Sequence, residues 1–272
     1  MSDSPEILYE IDADGIALIT LNRPHEGNAL TSTMGKRIGE IWEDVRTNDA
    51  VRVVIITGAG ERHFCTGASV SGLKTSEDGD TGLKRGTFQE IVRWSPYQNK
   101  IWKPVICCVN GLVAGGGLHF VVDSDVVVSS SSAQFMDTHT SVGQVGAIEN
   151  IGLARRATLG AALLLTLAGR GYRMDAARAH QIGIIDLLEP DAATARLRAF
   201  ELAKAMAANS PNAMRLSKQA IWGAVENGYE RALEAGWNLL MLQWSHPDFA
   251  EGPRAFMDKR APNWNPDPNA EK

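Results

Sequence analysis

The chain has 272 residues, of which 44% are hydrophobic and 22% charged, a composition typical of a globular protein with a sizeable core. Its formal net charge of -5 disfavours nucleic acid or an anionic membrane as the partner. The sequence contains no apolar run of bilayer-spanning length and no recognisable signal peptide, so we expect no membrane partner. Three cysteines without metal-ligand or redox spacing favour a reduced compartment, and we expect a cytoplasmic protein.

Predicted strands and helices alternate along the first part of the chain. The runs GIALITLN, VRVVIITG, KPVICCVNG and SDVVVSSSSAQF are rich in β-branched residues and predict four strands. The segment TSTMGKRIGEIWEDVRTN has apolar residues at helical spacing, with Thr31 or Ser32 as its N-cap. This alternation predicts an α/β core.

Helical patterns dominate the later part of the chain. ARRATLGAALLLTLAG and MDAARAHQIG are followed by three longer helical patterns at 192–209, 212–227 and 228–243. We therefore divide the chain into a core at 1–195 and a C-terminal helical region at 196–272. The helix predicted at 228–243 has more apolar surface than a monomer should expose, and we expect it at a subunit interface.

Three consecutive glycines, Gly115, Gly116 and Gly117, follow a predicted strand and precede an apolar run that contains His119. Glycines at a helix start let a ligand approach the backbone closely, and the free amides there favour an anion or a developing oxyanion. A packing turn between a helix and a sheet explains the same residues without any ligand. The glycines alone leave both interpretations open.

Five segments, in order along nearly the whole chain, resemble those of the crotonase family, the enoyl-CoA hydratase/isomerase group. They are LNRPHEGNAL, VVIITGAGERHFCTGAS, KPVICCVNGLVAGGGLHFVVDSDVVVSSSSAQF, LAGRGYRMDAARAHQIGIID and EGPRAFMDKRAPNW. The resemblance implies an α/β fold built as a spiral of ββα turns, followed by a C-terminal helical trimerisation region. It also implies a homotrimer or a dimer of trimers. An oxyanion hole for the enolate of a thioester is implied as well, with the backbone amides of Ala68 and Gly116 as its donors.

Two histidines stand where hydratases of this family have their catalytic glutamates. By resemblance these positions are His119 and His139. Histidine titrates near neutral pH and is able to act first as a base and then as an acid. We expect His139 to be the base and His119 to donate a proton or to orient the carbonyl. Asp123, four residues after His119, is expected to orient its ring, and Glu149 is a further candidate for catalysis. A structural role is open for each of these side chains.

The resemblance implies a coenzyme A thioester as the substrate and no separate cofactor or metal. The residues it places along the substrate or coenzyme A are Gly67, Ser69, Gly115, Gly117, Phe256 and Lys259.

A branch of the family that hydrolyses β-diketones, typified by 6-oxocamphor hydrolase, also has a histidine at the position of His139. That branch does not keep the triple glycine, so the resemblance to it is partial. Three functions stay open: an acyl-CoA hydratase or related lyase, a C–C bond hydrolase of a β-diketone, and a catalytically silent oligomeric binding protein.

Overall fold

The computed structural model describes residues 5–69 and 92–265. The strands in these ranges are β1 Ile7–Ile11, β2 Ile16–Leu21, β3 Val53–Gly58, β4 His63–Cys65, β5 Val105–Val109, β6 Leu112–Ala114, β7 Val126–Ser130, β8 Gln134–Met136, β9 Met174–Asp175 and β10 Leu187–Glu189. The helices are α1 Ser32–Thr47, α2 Leu118–Val122, α3 Ile148–Arg156, α4 Leu159–Ala168, α5 Ala176–Gln181, α6 Ala192–Ala207, α7 Pro211–Ala224, α8 Tyr229–Trp244 and α9 Pro247–Met257. The predicted mixed α/β architecture is confirmed.

The larger sheet has the strand order β1-β2-β3-β5-β7-β10. Its strands run parallel except for β1, which pairs antiparallel with β2. The residues of β3 and β5 are all buried, as expected for parallel strands that are covered on both faces. The prediction of a single strand in SDVVVSSSSAQF is wrong. A turn in which Ser132 N donates to Ser130 Oγ, over 3.1 Å, divides the segment into β7 and β8.

The smaller sheet, with the order β4-β6-β8-β9, positions the functional residues. Strands β4, β6 and β8 are parallel neighbours, so their carboxyl ends lie at one edge of the sheet. The chain leaves β4 toward Gly67 and Ala68, leaves β6 into the triple glycine, and leaves β8 toward His139. Three segments that are far apart in sequence thereby meet at one place.

The helices begin and pack largely as their sequence patterns predict. Thr31 caps α1 through a 3.1 Å hydrogen bond from Met34 N to its Oγ1, and the helix buries Ile38 and Trp42 against the core. Within the described residues, no helix combines the length and the hydropathy needed to cross a membrane.

The C-terminal helices differ in how they meet the core. Helix α6 packs Ala195, Ala199 and Ala203 against the larger sheet, where they share a cluster with Ile55 and Ile106. The predicted boundary between 195 and 196 therefore falls inside a helix that belongs to the sheet layer. Helix α8 has no buried residue, and its apolar side chains are exposed. The last seven residues of the predicted C-terminal region lie outside the described residues.

Candidate active site

The backbones of the predicted oxyanion donors lie against each other. A Cβ atom built on Gly116 would lie 3.6 Å from Ala68 N, and one built on Gly67 would lie 2.8 Å from Gly116 N. Gly67 and Gly115 have φ angles of +88° and +49°, which glycine adopts without steric cost. Position 67 therefore requires glycine, because a Cβ atom there would collide with the backbone of Gly116.

Neither donor amide is used by the surrounding backbone of the described residues. Leu30 pairs with the groups that flank Ala68, because Leu30 N donates to Gly67 O and Ser69 N donates to Leu30 O, each over 2.8 Å. Gly116 lies in the 3-10 turn Gly115–Gly117, at a helix start, where amides have no partner within the turn. Both N–H groups are therefore available to an oxygen of a ligand.

His119 lies on α2 and is 3% exposed. Its Nδ1 is 3.3 Å from Gln98 Nε2, and the edge of Trp94 packs against the ring with centroids 5.4 Å apart. Burial, reinforced by the nearby His139, lowers the pKa of His119 to about 4. His119 is therefore a neutral imidazole at physiological pH.

His139 occupies a contrasting environment at the end of β8. Asp137 Oδ1 accepts the backbone N–H of His139 over 3.0 Å and lies 2.6 Å from its ring Nδ1. Asn150 donates to the other Asp137 oxygen over 2.7 Å. The hydrogen bond to Asp137 raises the pKa of His139 against the opposing effect of burial, with Glu149 and the charge of Asp137 adding to the rise. Asp137 thus holds the ring through Nδ1, and Nε2 is the nitrogen that is able to exchange a proton.

Glu149, in the first turn of α3, lies between the two histidines. Its Oε2 is 3.4 Å from His119 Nε2, and its Oε1 is 3.1 Å from His139 Nε2. The carboxyl is buried, and burial raises its pKa. Oε1 is fully enclosed and has no hydrogen bond of acceptable geometry. The arrangement supplies a buried carboxyl group that is ready to hold or transfer a proton.

The expectation that Asp123 orients His119 is wrong. Its carboxylate accepts a hydrogen bond from Ser95 Oγ, and it lines a separate cavity of about 540 Å³ together with Arg155, Lys218 and Trp222. Asp123 is the C-cap residue of α2, and its hydrogen bond with Ser95 holds the carboxylate at that cavity. Gln98 and Glu149 contact the His119 ring instead.

The residues predicted along the ligand fall into two groups. Gly67, Ser69, Gly115 and Gly117 surround the two donor amides. Phe256 is 86% exposed on α9, and Lys259 follows that helix. Among the described residues, no hydrogen bond or ion pair joins α9 to His119 or His139.

Asp137, His139 and Glu149 offer three ligand-type atoms within 4.8 Å of one another. The hydrogen bond between Asp137 Oδ1 and His139 Nδ1 occupies one ligand atom of each residue, and Asn150 binds the other Asp137 oxygen. The donor set fits a proton-transfer site better than a metal site, and we assign no metal.

Four residues of the site were not predicted from the sequence: Asp137, Gln98, Trp94 and Asn150. Asp137 carries a recognisable signal, because an aspartate two residues before another residue commonly accepts that residue's backbone N–H. Gln98 and Trp94 have no such signal, since they reach His119 from a segment that precedes β5.

Comparison with known proteins agrees with this architecture. The profile of the enoyl-CoA hydratase/isomerase family matches residues 12–267. The chain is 33% identical to an (E)-benzylidenesuccinyl-CoA hydratase from Thauera aromatica over 91% of this chain and 94% of that protein. It is 31% identical to a 1,2-epoxyphenylacetyl-CoA isomerase from Escherichia coli over 92% and 95% of the two chains. A crystal structure of an enoyl-CoA hydratase/isomerase from Mycobacterium paratuberculosis superposes with a TM-score of 0.84 at 33% identity, covering 96% of this chain and 98% of that one.

The fold and the two neighbouring, unpaired backbone amides define a mixed α/β protein with a candidate oxyanion site. The match over nearly the whole chain goes further: the chain belongs to the enoyl-CoA hydratase/isomerase family, the crotonase family. An enzyme of the enoyl-CoA hydratase/isomerase type is the function that this membership supports.

Proposed function

We propose that this protein adds water to, or removes it from, an acyl-CoA thioester, with His139 as the general base. The observation that carries the proposal is the Asp137–His139 pair, whose Nδ1–Oδ1 distance is 2.6 Å. His139 Cε1 is 3.7 Å from the position that a Cβ on Gly115 would occupy, so the ring lies beside the oxyanion glycines. A base and an oxyanion site in contact are the two parts that enolate chemistry requires.

The hydration direction proceeds with every atom accounted for. His139 Nε2 takes a proton from water while the water oxygen bonds to the β-carbon of the enoyl thioester. The electrons of the double bond move to the thioester oxygen, where the amides of Ala68 and Gly116 stabilise the enolate. The α-carbon then takes a proton from the buried cluster of His119 and Glu149. Dehydration is the reverse of these steps.

Coenzyme A thioesters are favoured over free diketones by two observations. The triple glycine and the free amide of Ala68 form the part of the site that a thioester carbonyl needs. The relatives named above are named for CoA thioester substrates, and two of these substrates have aromatic acyl groups. Alkyl and aryl enoyl-CoAs are therefore the first substrates to examine.

The test is a panel of purified ligands with the wild-type protein. We expect loss of the enoyl-thioester absorbance with an alkyl or aryl 2-enoyl-CoA, and a 3-hydroxyacyl-CoA as the product. Hydrolysis of a cyclic 1,3-diketone in the absence of CoA would instead support a C–C bond hydrolase. Binding of acyl-CoA without turnover would support a silent binding protein, and either result would overturn the proposal.

We also propose a homotrimer or a dimer of trimers in which α8 is covered. Leu233, Trp237, Leu240 and Trp244 on this helix are each at least 45% exposed in the single chain. A contiguous apolar face of this kind marks an interaction surface. Sedimentation showing a stable monomer at micromolar concentration would contradict this.

A further inference from the structure

The carboxyl group of Glu149 lies between two imidazole rings. The positions of the hydrogens in this cluster determine which groups are able to transfer a proton. His119 Nε2 lies 3.4 Å from Oε2, and His139 Nε2 lies 3.1 Å from Oε1. Two lone pairs facing each other inside a protein repel, so each contact requires one hydrogen. Neighbouring residues determine which atom carries each hydrogen.

Gln98 determines the tautomer of His119. Ser95 N donates to Gln98 Oε1 over 3.4 Å, which fixes the orientation of the amide and directs its NH₂ group toward His119. Gln98 Nε2 is 3.3 Å from His119 Nδ1, so Nδ1 must accept and remain without a hydrogen. The hydrogen of the neutral ring is then on Nε2, the nitrogen that lies 3.4 Å from Glu149 Oε2. His119 consequently has neither a free lone pair nor a spare proton for the substrate.

His139 has the opposite assignment. Asp137 holds a hydrogen on Nδ1, which leaves Nε2 as the nitrogen that gains and loses a proton. This nitrogen lies 3.1 Å from Glu149 Oε1, a fully enclosed oxygen that has no hydrogen bond in this arrangement. A hydrogen on either atom removes the repulsion between them, and the 3.1 Å separation is short enough for a proton to pass from one to the other.

Resting on the function proposed above, we propose that Glu149 and His139 act as one proton-exchanging pair, while Gln98 is a positioning residue that keeps His119 as a fixed N–H donor to Glu149. In the resting enzyme the proton of the pair is on Glu149. His139 takes a proton from water as the C–O bond forms, and Glu149 gives its proton to the α-carbon. The new proton on His139 Nε2 then passes to Glu149 Oε1, and the pair returns to its starting state.

Conservative variants separate this assignment from one in which His119 transfers the proton. His119→Gln keeps an N–H group that can reach Glu149, and we expect kcat within about tenfold of wild type. Glu149→Gln keeps the shape but holds no transferable proton, and we expect kcat to fall by about 10²–10⁴-fold, the usual contribution of a general acid. Equal losses in both variants would overturn the proposal.

The positioning role of Gln98 has a spectroscopic readout that needs no substrate. Nitrogen-15 NMR of the full-length protein, with His119→Gln used to assign the signal, should show His119 protonated at Nε2 and bare at Nδ1. Gln98→Glu supplies an acceptor in place of the donor and should move the hydrogen to Nδ1. We expect kcat about tenfold lower in that variant with KM changed less than about twofold, because the ring no longer donates to Glu149. Gln98→Met removes the interaction without reversing it, and its loss should be smaller.

The NMR measurement tests the positions of the hydrogens, and the turnover measurement tests the proposed reaction. A His119 ring protonated at Nδ1, or charged at neutral pH, in the wild-type protein overturns this inference whatever the substrate is. Absence of turnover on enoyl-CoAs with the expected tautomer overturns the proposed reaction and leaves the assignment of the hydrogens in place.

Discussion

His119 and His139 are the same residue type, twenty positions apart, and the fold gives them opposite properties. The region around His119 is the first turn of α2, closed by Trp94, where burial lowers the pKa to about 4. The region around His139 is a loop at the end of β8, where a buried aspartate raises the pKa of a ring whose side chain is 25% exposed. Desolvation and a charged partner, rather than residue type, shift the pKa values of the two histidines in opposite directions.

The largest expected effect comes from removing the His139 ring. His139→Ala should lower kcat by about 10²–10⁴-fold with a much smaller change in KM, because a general base acts in the transition state. Steady-state kinetics on the enoyl-CoA identified in the panel measures this. His180→Ala, which removes a histidine of α5 bonded to the Ile185 carbonyl over 3.0 Å, is the matched control and should retain kcat. Wild-type turnover by His139→Ala would remove the histidine mechanism.

Adding a side chain at the oxyanion site should cause the next largest loss of kcat. A Cβ on Gly116 would lie 2.8 Å from Trp94 Cζ3, so Gly116→Ala must displace either the ring over His119 or the donor amide. Loss of one oxyanion donor lowers kcat by about 10²–10³-fold, and we expect a loss of this order. Gly160→Ala in α4 is the control, because nothing lies within 4 Å of the added Cβ. That control should keep full activity and gain up to about 1 kcal/mol of stability from helix propensity.

A weaker effect is expected when the partner of His139 is neutralised. Asp137→Asn still accepts a hydrogen bond from Nδ1, but it does not stabilise the imidazolium that forms during proton transfer. We expect kcat to fall on the order of 10²-fold and the pKa of His139 to drop, because the hydrogen bond to the Asp137 carboxylate is the largest cause of its rise. Histidine NMR titration, run beside the kinetics, reports both changes. An unchanged pKa would show that Asp137 does not set the basicity of this ring.

The smallest expected effect is on stability. The pKa of His119 falls from 6.5 to about 4 on folding, so between these values the unfolded chain binds a proton that the folded chain does not. Stability should therefore decrease as pH falls from 6.5 toward 4, by at most about 3 kcal/mol from this group. The raised pKa of His139 acts in the opposite sense, and its stabilisation is lost as pH rises through the folded value.

Thermal unfolding of His119→Gln and the wild type between pH 7 and pH 4 tests this sign. The difference in Tm between the two proteins should change in favour of the variant as the pH is lowered. A difference independent of pH would mean that His119 titrates alike in the folded and unfolded chains, and the contrast between the two histidines would then be lost.

Local sequence patterns are sufficient to predict several strands, the first helix and part of the candidate site. Runs of valine and isoleucine determined the buried strands β3 and β5, and Thr31 with its apolar spacing determined α1, because local propensity and periodicity act within one segment. The order of the motifs indicated the family, and with it the amides of Ala68 and Gly116 and the two histidines. The Asp137–His139 turn is likewise a local pattern, since the aspartate accepts the backbone N–H two residues later.

The way in which these residues contact one another depends on the packing of distant segments. Glu149 lies ten residues after His139 and thirty after His119, and no periodicity relates the three. The fold brings α3 back across the start of α2, which places one carboxyl against both rings. Gln98 reaches His119 from a separate segment of the chain, while Asp123 bonds to Ser95 and lines a different cavity. Burial and orientation depend on all of these segments at once, which is why spacing along the chain pointed to Asp123 and the packed structure chose Gln98 and Glu149.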